Sequence, residues 1–288
     1  MLSDQKRATR LLRRVGIERS GMILNAFFSG SGLRSFRREV GYSVATTYRL
    51  VSVLTNFVYE QIDVNFRRGK LRGTKLNLHF GRNWEADSKV IPVSPNFCEG
   101  IYRWTRKNGR NVAKLMISDI LDKETHFCLS SQPVGTGSVN EYKVAFLKAR
   151  QRAGFAPVSL IMDGEQAEPI AAAKALGGYT RPVILKKMGE KSQLHLAEGY
   201  HKLMDRKLES GIHSKDDTFM IKGIWLQYNF VESKDQLCGL TPFQRACRLV
   251  VDWNGEGWMW LLKYSVETYK KSIEKPFARA TPLSTMLS

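Results

Sequence analysis

Val158 to Met162 is a short, mostly apolar segment closed off by Gly154 on one side and by Asp163-Gly164 on the other, and no other stretch restricts the fold as much. A run of about five such residues is expected of a strand covered on both faces, as in a parallel sheet flanked by helices. The neighbouring sequence fits that setting. Ser138-Val139-Asn140-Glu141 is a capping box opening a helix with Val139, Tyr142, Ala145, Phe146 and Ala149 on one face, and Gly154 closes it. An alanine-rich helix then runs to Leu176, Gly177-Gly178 ends it, and Pro182 to Leu185 reads as a strand.

Three strands come in succession upstream: Trp84 to Val93, with Pro92 arguing for its end, then Val112 to Ser118 and His126 to Ser131 around a turn at Leu121 to Thr125. Two helices lie downstream. One carries Ala197, Tyr200, Met204 and Leu208; the other carries Met220, Ile224, Trp225 and Tyr228. This order predicts an α/β domain built on a mixed five-stranded sheet with flanking helices.

The segment from about Ser20 to Ile62 has helical periodicity instead. Gly21 to Phe28 reads as a short apolar helix behind Ser20 as N-cap. Leu33, Phe36 and Val40 mark a second, and Ser43 caps a third carrying Val44, Tyr48, Val51, Leu54 and Val58. The pattern is that of an all-α helix-turn-helix domain, in which Ala45, Thr46 and Arg49 would face the bases; any small three-helix unit shares it. Arg67, Arg68, Lys70 and Arg72 interleave with Gly69 and Gly73, as suits a linker lying along phosphates or a solvated basic loop. The expected organisation is a helix-turn-helix domain over residues 1–64, a basic linker over 65–82, a catalytic core over 83–250 and a tail over 251–288 that packs on the core or contributes to dimerisation.

Forty-five Lys and Arg against 27 Asp and Glu leave a net charge of +18. Such a surface concentrates polyanions, nucleic acid above all. Met1 to Arg14 is charged throughout, and no stretch approaches the roughly 18 apolar residues of a membrane span, so a cytoplasmic, nucleoid-associated protein without a membrane partner is expected. Cys98, Cys128, Cys238 and Cys247 have the spacing of neither a zinc ribbon nor a disulfide framework.

Three carboxylates stand where the sheet would gather them: Asp87 in the first strand, Asp163 directly after the apolar strand, and Glu198 near the start of a late helix. Carboxylates placed together repel unless cations bind, and hard oxygen donors suit Mg²⁺ or Mn²⁺. Two ions roughly 4 Å apart activate an attacking oxygen and stabilise a leaving one in phosphodiester displacement. His201, three residues beyond Glu198, is a possible accessory that orients the carboxylate or touches a phosphate, or a surface histidine without a role.

Trp84-Glu85-Ala86-Asp87, Ile117-Ser118-Asp119, Met162-Asp163-Gly164, the run Glu198 to Arg206, and Tyr228-Asn229-Phe230 followed by Thr241-Pro242 resemble the core of bacterial and archaeal DDE insertion-sequence transposases. The resemblance spans roughly residues 20 to 250. It implies a ribonuclease-H-like, integrase-type core with Asp87, Asp163 and Glu198 as catalytic metal ligands for two Mg²⁺ or Mn²⁺ ions. It also implies DNA cleavage and strand transfer at terminal inverted repeats, by a dimer or larger assembly. Glu232-Ser233-Lys234 stands where that family usually has Arg-Pro-His, which leaves open a decayed or domesticated copy that only binds DNA. A ribonuclease on the same fold is a third reading.

Overall fold

The computed structural model describes residues 2–29, 41–67, 78–93, 103–107, 110–135, 137–163, 166–185, 194–208, 218–247 and 257–274. Among the described residues three helices come first: α1 (Leu2–Val15), α2 (Ile17–Ser29) and α3 (Val44–Arg67). Strands β1 (Asn83–Val93), β2 (Arg103–Lys107), β3 (Arg110–Asp122) and β4 (Cys128–Pro133) follow. Then come α4 (Val139–Ala153), β5 (Ser159–Met162), α5 (Ala167–Leu176), β6 (Arg181–Ile184), α6 (His195–Lys207) and α7 (Phe219–Leu226). A π-helical turn (Gln227–Val231) continues α7, and α8 (Pro242–Cys247) and α9 (Gly257–Glu274) complete the described elements.

The sheet is mixed. β3 runs antiparallel to β1, β1 runs parallel to β5, and β5 runs parallel to β6. Both β2 and β4 pair with β3, β2 with Arg110–Lys114 and β4 with Ile117–Leu121, so six strands fill five positions across the sheet. A mixed five-position sheet with flanking helices is consistent with the expected ribonuclease-H-like core. The strand β2 was not expected, and β3 extends beyond the predicted Val112–Ser118 at both ends. Pro92 does not end β1: β5 pairs only with Asn83–Ala86, and among the described residues no strand pairs with the rest of that side, an edge of the kind where proline is tolerated. In β5, Leu160 and Met162 are buried while Ser159 and Ile161 are half-buried, so one of its faces is covered less fully than predicted.

Local chemistry explains the best-formed helix. Ser138 Oγ accepts the Glu141 N–H, the Glu141 carboxylate accepts the Ser138 N–H at 3.0 Å, and Gly154 closes α4 in the left-handed region at φ 89°. The predicted start of α2 is corrected: Ser20 lies fully buried inside the helix, which opens at Ile17. Ser43 caps α3 as expected, its Oγ accepting the Thr46 N–H. The helix expected around Leu33, Phe36 and Val40 lies outside the described residues.

The helices on either side of the chain's sheet region share one core. Phe66 of α3 packs on Phe127 and Trp225, Tyr59 packs on Trp225, and Phe28 of α2 stacks on Trp258 of α9 at 5.3 Å. Arg152 of α4 is buried beside them. Its guanidinium bonds Asp63, Tyr59 and the Leu129 carbonyl and lies over the Trp225 ring at 4.2 Å. Among the described residues no helix is long and apolar enough to cross a membrane.

Candidate active site

Side chains alternate along β1, so Glu85, Asp87 and Lys89 share one face and Trp84, Ala86 and Ser88 the other. Ser88 reaches Tyr142 of α4 and Glu168 of α5. The first face carries α6, which runs along β1 in register with it. Glu85 meets the start of α6, Asp87 meets His201, and Lys89 Nζ meets Asp205 at 2.8 Å. Four residues of strand and nine of helix both advance about 13 Å, which is why the three ties can form together.

Glu85 is wholly buried. Its Oε2 accepts the backbone N–H groups of Leu196 at 3.2 Å and Ala197 at 3.3 Å, and Lys123 lies 3.2 Å from Oε1. The cap residue of α6, Leu194, has no side-chain bond of its own to offer, so a carboxylate from the sheet satisfies the exposed amides and complements the helix dipole.

Asp87 stands directly opposite Asp119 of β3, on the same face. Like charges in that relation repel. His201 lies between them, with Nε2 3.0 Å from Asp119 Oδ2 and Nδ1 3.5 Å from Asp87 Oδ2. Burial raises the Asp87 carboxyl above its ordinary range; His201 and the Ser88 N–H oppose that rise, and the Asp163 and Asp119 charges add to it. Burial lowers the His201 imidazole, but its bond to Asp119 and the charges of Asp119 and Asp87 outweigh this and hold it above its usual value.

Asp163 follows β5 immediately. The strands pair as Ala86 with Met162, so Asp87 and Asp163 are the next residues along both. Asp163 thus stands at the carboxyl end of β5, the kind of place where open α/β sheets bind ligands, while β1 runs on past Asp87 to Val93. Glu198 lies in the first turn of α6 and is exposed. Among the described residues no three His, Cys, Asp or Glu side chains are grouped tightly enough to hold a metal ion. The donor chemistry nonetheless fits a hard cation. Asp119 Oδ1 is buried without a hydrogen-bond partner among the described residues, and burial first, with the Asp163 and Asp119 charges adding to it, raises the Asp87 proton affinity, a balance that a cation would offset.

The predicted DNA-facing residues Ala45, Thr46 and Arg49 are exposed near the start of α3. Arg67 ends that helix, while Arg68, Lys70 and Arg72 lie outside the described residues. His201 is buried, not the surface residue of one expectation. Glu85 and Asp119 were not singled out from the sequence. Parity along β1 would have found Glu85, and the antiparallel register of the next strand would have found Asp119.

No protein-family model matches the sequence, and no curated protein does. Among solved structures, the HTLV-2 integrase catalytic core domain in complex with magnesium (trimeric form) is similar at 14% identity and a TM-score of 0.36, over 58% of this chain and 97% of that one.

Proposed function

We propose that the chain is a metal-dependent polynucleotidyl transferase acting on duplex DNA, a DDE transposase that cuts and joins the ends of an insertion sequence. The observation that carries this reading is the pairing of β1 with β5, which sets Asp87, midway along β1, beside Asp163 at the carboxyl end of β5. The net charge of +18 supports a polyanionic substrate.

In this reading Asp87, Asp163 and Glu198 hold two Mg²⁺ or Mn²⁺ ions. The ions supply activation of the attacking oxygen and stabilisation of the leaving one. The rest falls to the chain. Glu85 holds the start of α6 and with it the turn that bears Glu198. His201 with Asp119 orients the Asp87 carboxylate as an accessory. Ala45, Thr46 and Arg49 contact bases, and Arg67, Arg68, Lys70 and Arg72 contact phosphates.

The test is nicking of duplex DNA carrying the element's own ends in Mg²⁺ or Mn²⁺. Asp163→Asn is expected to abolish nicking and spare binding, and unchanged nicking by that variant would sink the assignment. The exposed Glu198, outside any metal-sized grouping, favours a second reading as a DNA-binding protein without chemistry. Calorimetry decides between them: the enzyme binds Mn²⁺, and the binding protein does not.

A further inference from the structure

Helix α1 carries Lys6, Arg7, Arg10, Arg13 and Arg14, all exposed. At about 100° per residue these five fall within an arc of roughly 120°, spread over about 12 Å of helix. Opposite that arc, Ala8 and Leu12 are buried where α1 packs on α3. Among the described residues none of the five cations pairs with a carboxylate.

A solvated helix face usually mixes both signs. Here the only acid in α1 is Asp4, and it lies outside the arc. Basic amphipathic helices also serve at membrane surfaces, but those insert an apolar face, and the apolar face of α1 is already spent on α3. The arc continues onto α3, since Arg7 lines a 660 Å³ cleft together with Arg49 of α3 and Lys222 of α7, with Asp4 and Glu60 also on its walls.

We propose that the exposed face of α1 is a sequence-independent contact for the phosphate backbone of duplex nucleic acid, beside the base-facing start of α3. The contact rests on the nucleic-acid reading above and deepens it: α3 carries the candidate base contacts, while α1 supplies affinity without sequence preference. A cation set against phosphates displaces condensed counterions, so each contact steepens the salt dependence of binding by about 0.9 in the logarithm.

The experiment measures binding of the full-length protein to a random-sequence 30-bp duplex, about three helical turns, across a series of NaCl concentrations. Three proteins are compared: wild type, Arg10→Gln with Arg14→Gln, and Lys270→Gln with Lys271→Gln on α9, which removes the same charge elsewhere. Glutamine keeps helix propensity close to that of arginine and lysine, and circular dichroism checks that the fold is kept. The α1 pair is expected to lower the slope of log K against log salt by about 2 and to weaken binding on the order of tenfold; the α9 pair is expected to leave the slope unchanged. Equal effects of the two pairs would overturn the proposal in favour of diffuse net charge. So would loss of binding to phosphatidylserine vesicles with duplex binding intact. Failure of the wild type to bind any duplex would instead overturn the nucleic-acid reading itself.

Discussion

Arg152 Nη2 lies 2.7 Å from Asp63 Oδ1, joining α4 on the sheet to α3 from the N-terminal helices. Arg152 is 1% exposed, so its charge depends on that partner together with the Tyr59 hydroxyl and the Leu129 carbonyl. Asp63→Ala leaves a buried guanidinium short of its anion and is expected to cost about 2–3 kcal/mol in urea unfolding. Arg152→Ala also removes the contact over Trp225 and is expected to cost about 3–5 kcal/mol. A cost below 0.5 kcal/mol for both would show that the two helices do not depend on this pair.

In the proposed metal-dependent reading, Glu85 is expected to act on the reaction through α6. Glu85→Ala strips the cap from the Leu196 and Ala197 amides, costs about 1–3 kcal/mol, and lowers Mn²⁺ affinity because the first turn bearing Glu198 loses its anchor. Glu85→Gln keeps one carbonyl acceptor for those amides and should recover most of the metal affinity. Isothermal titration with Mn²⁺ beside a urea melt separates the two effects. A purely structural cap would lower stability and leave metal affinity unchanged.

His126 carries a built-in pH dependence. It sits at φ 59°, and burial first, then the nearby charges of His195, Lys234 and Arg245, lower its basicity. The unfolded chain takes up a proton below about pH 6.5 while the folded one still resists it. Stability is therefore present above that pH and lost as pH falls through the depressed folded value. His126→Asn keeps a residue that tolerates the left-handed region and removes the titration. Its melting temperature should match the wild type near pH 8 and exceed it increasingly toward pH 5; parallel curves at all pH values would refute this.

What could be read from the sequence depended on how far apart the partners lie along the chain. The capping box at Ser138 is complete within four residues, and it formed with every expected bond. Apart from α1, β2, α8 and α9, the order of the described strands and helices followed from periodicity, and with it the places of Asp87 within β1 and of Asp163 just after β5. Parity along β1 puts Glu85 on the Asp87 face, but its capping role was not legible, because what satisfies it is a pair of backbone amides 111 and 112 residues away. The Asp119–His201 pair spans 82 residues and needed the register of β1 on β3. Helix α1 escaped notice because its charge outweighs a two-residue apolar seam, Ala8 and Leu12, that only the presence of α3 makes worth burying.

Gly223 tests how the N-terminal helices dock. It lies buried in α7, and a Cβ built there would overlap the ring of Phe28 from α2, which itself stacks on Trp258. Glycine in a helix is ordinarily a weak point, and replacing it with alanine stabilises by about 0.5–1 kcal/mol where there is room. Here the sign should reverse. Gly223→Ala forces an aromatic ring out of a packed site and is expected to cost about 1–3 kcal/mol. Phe28→Leu makes space at that contact, so the double variant should be more stable than the two single losses added together would allow. A stabilising Gly223→Ala would mean that α2 does not sit against α7 in solution, and the shared core of the N-terminal helices and the sheet region would have to be given up.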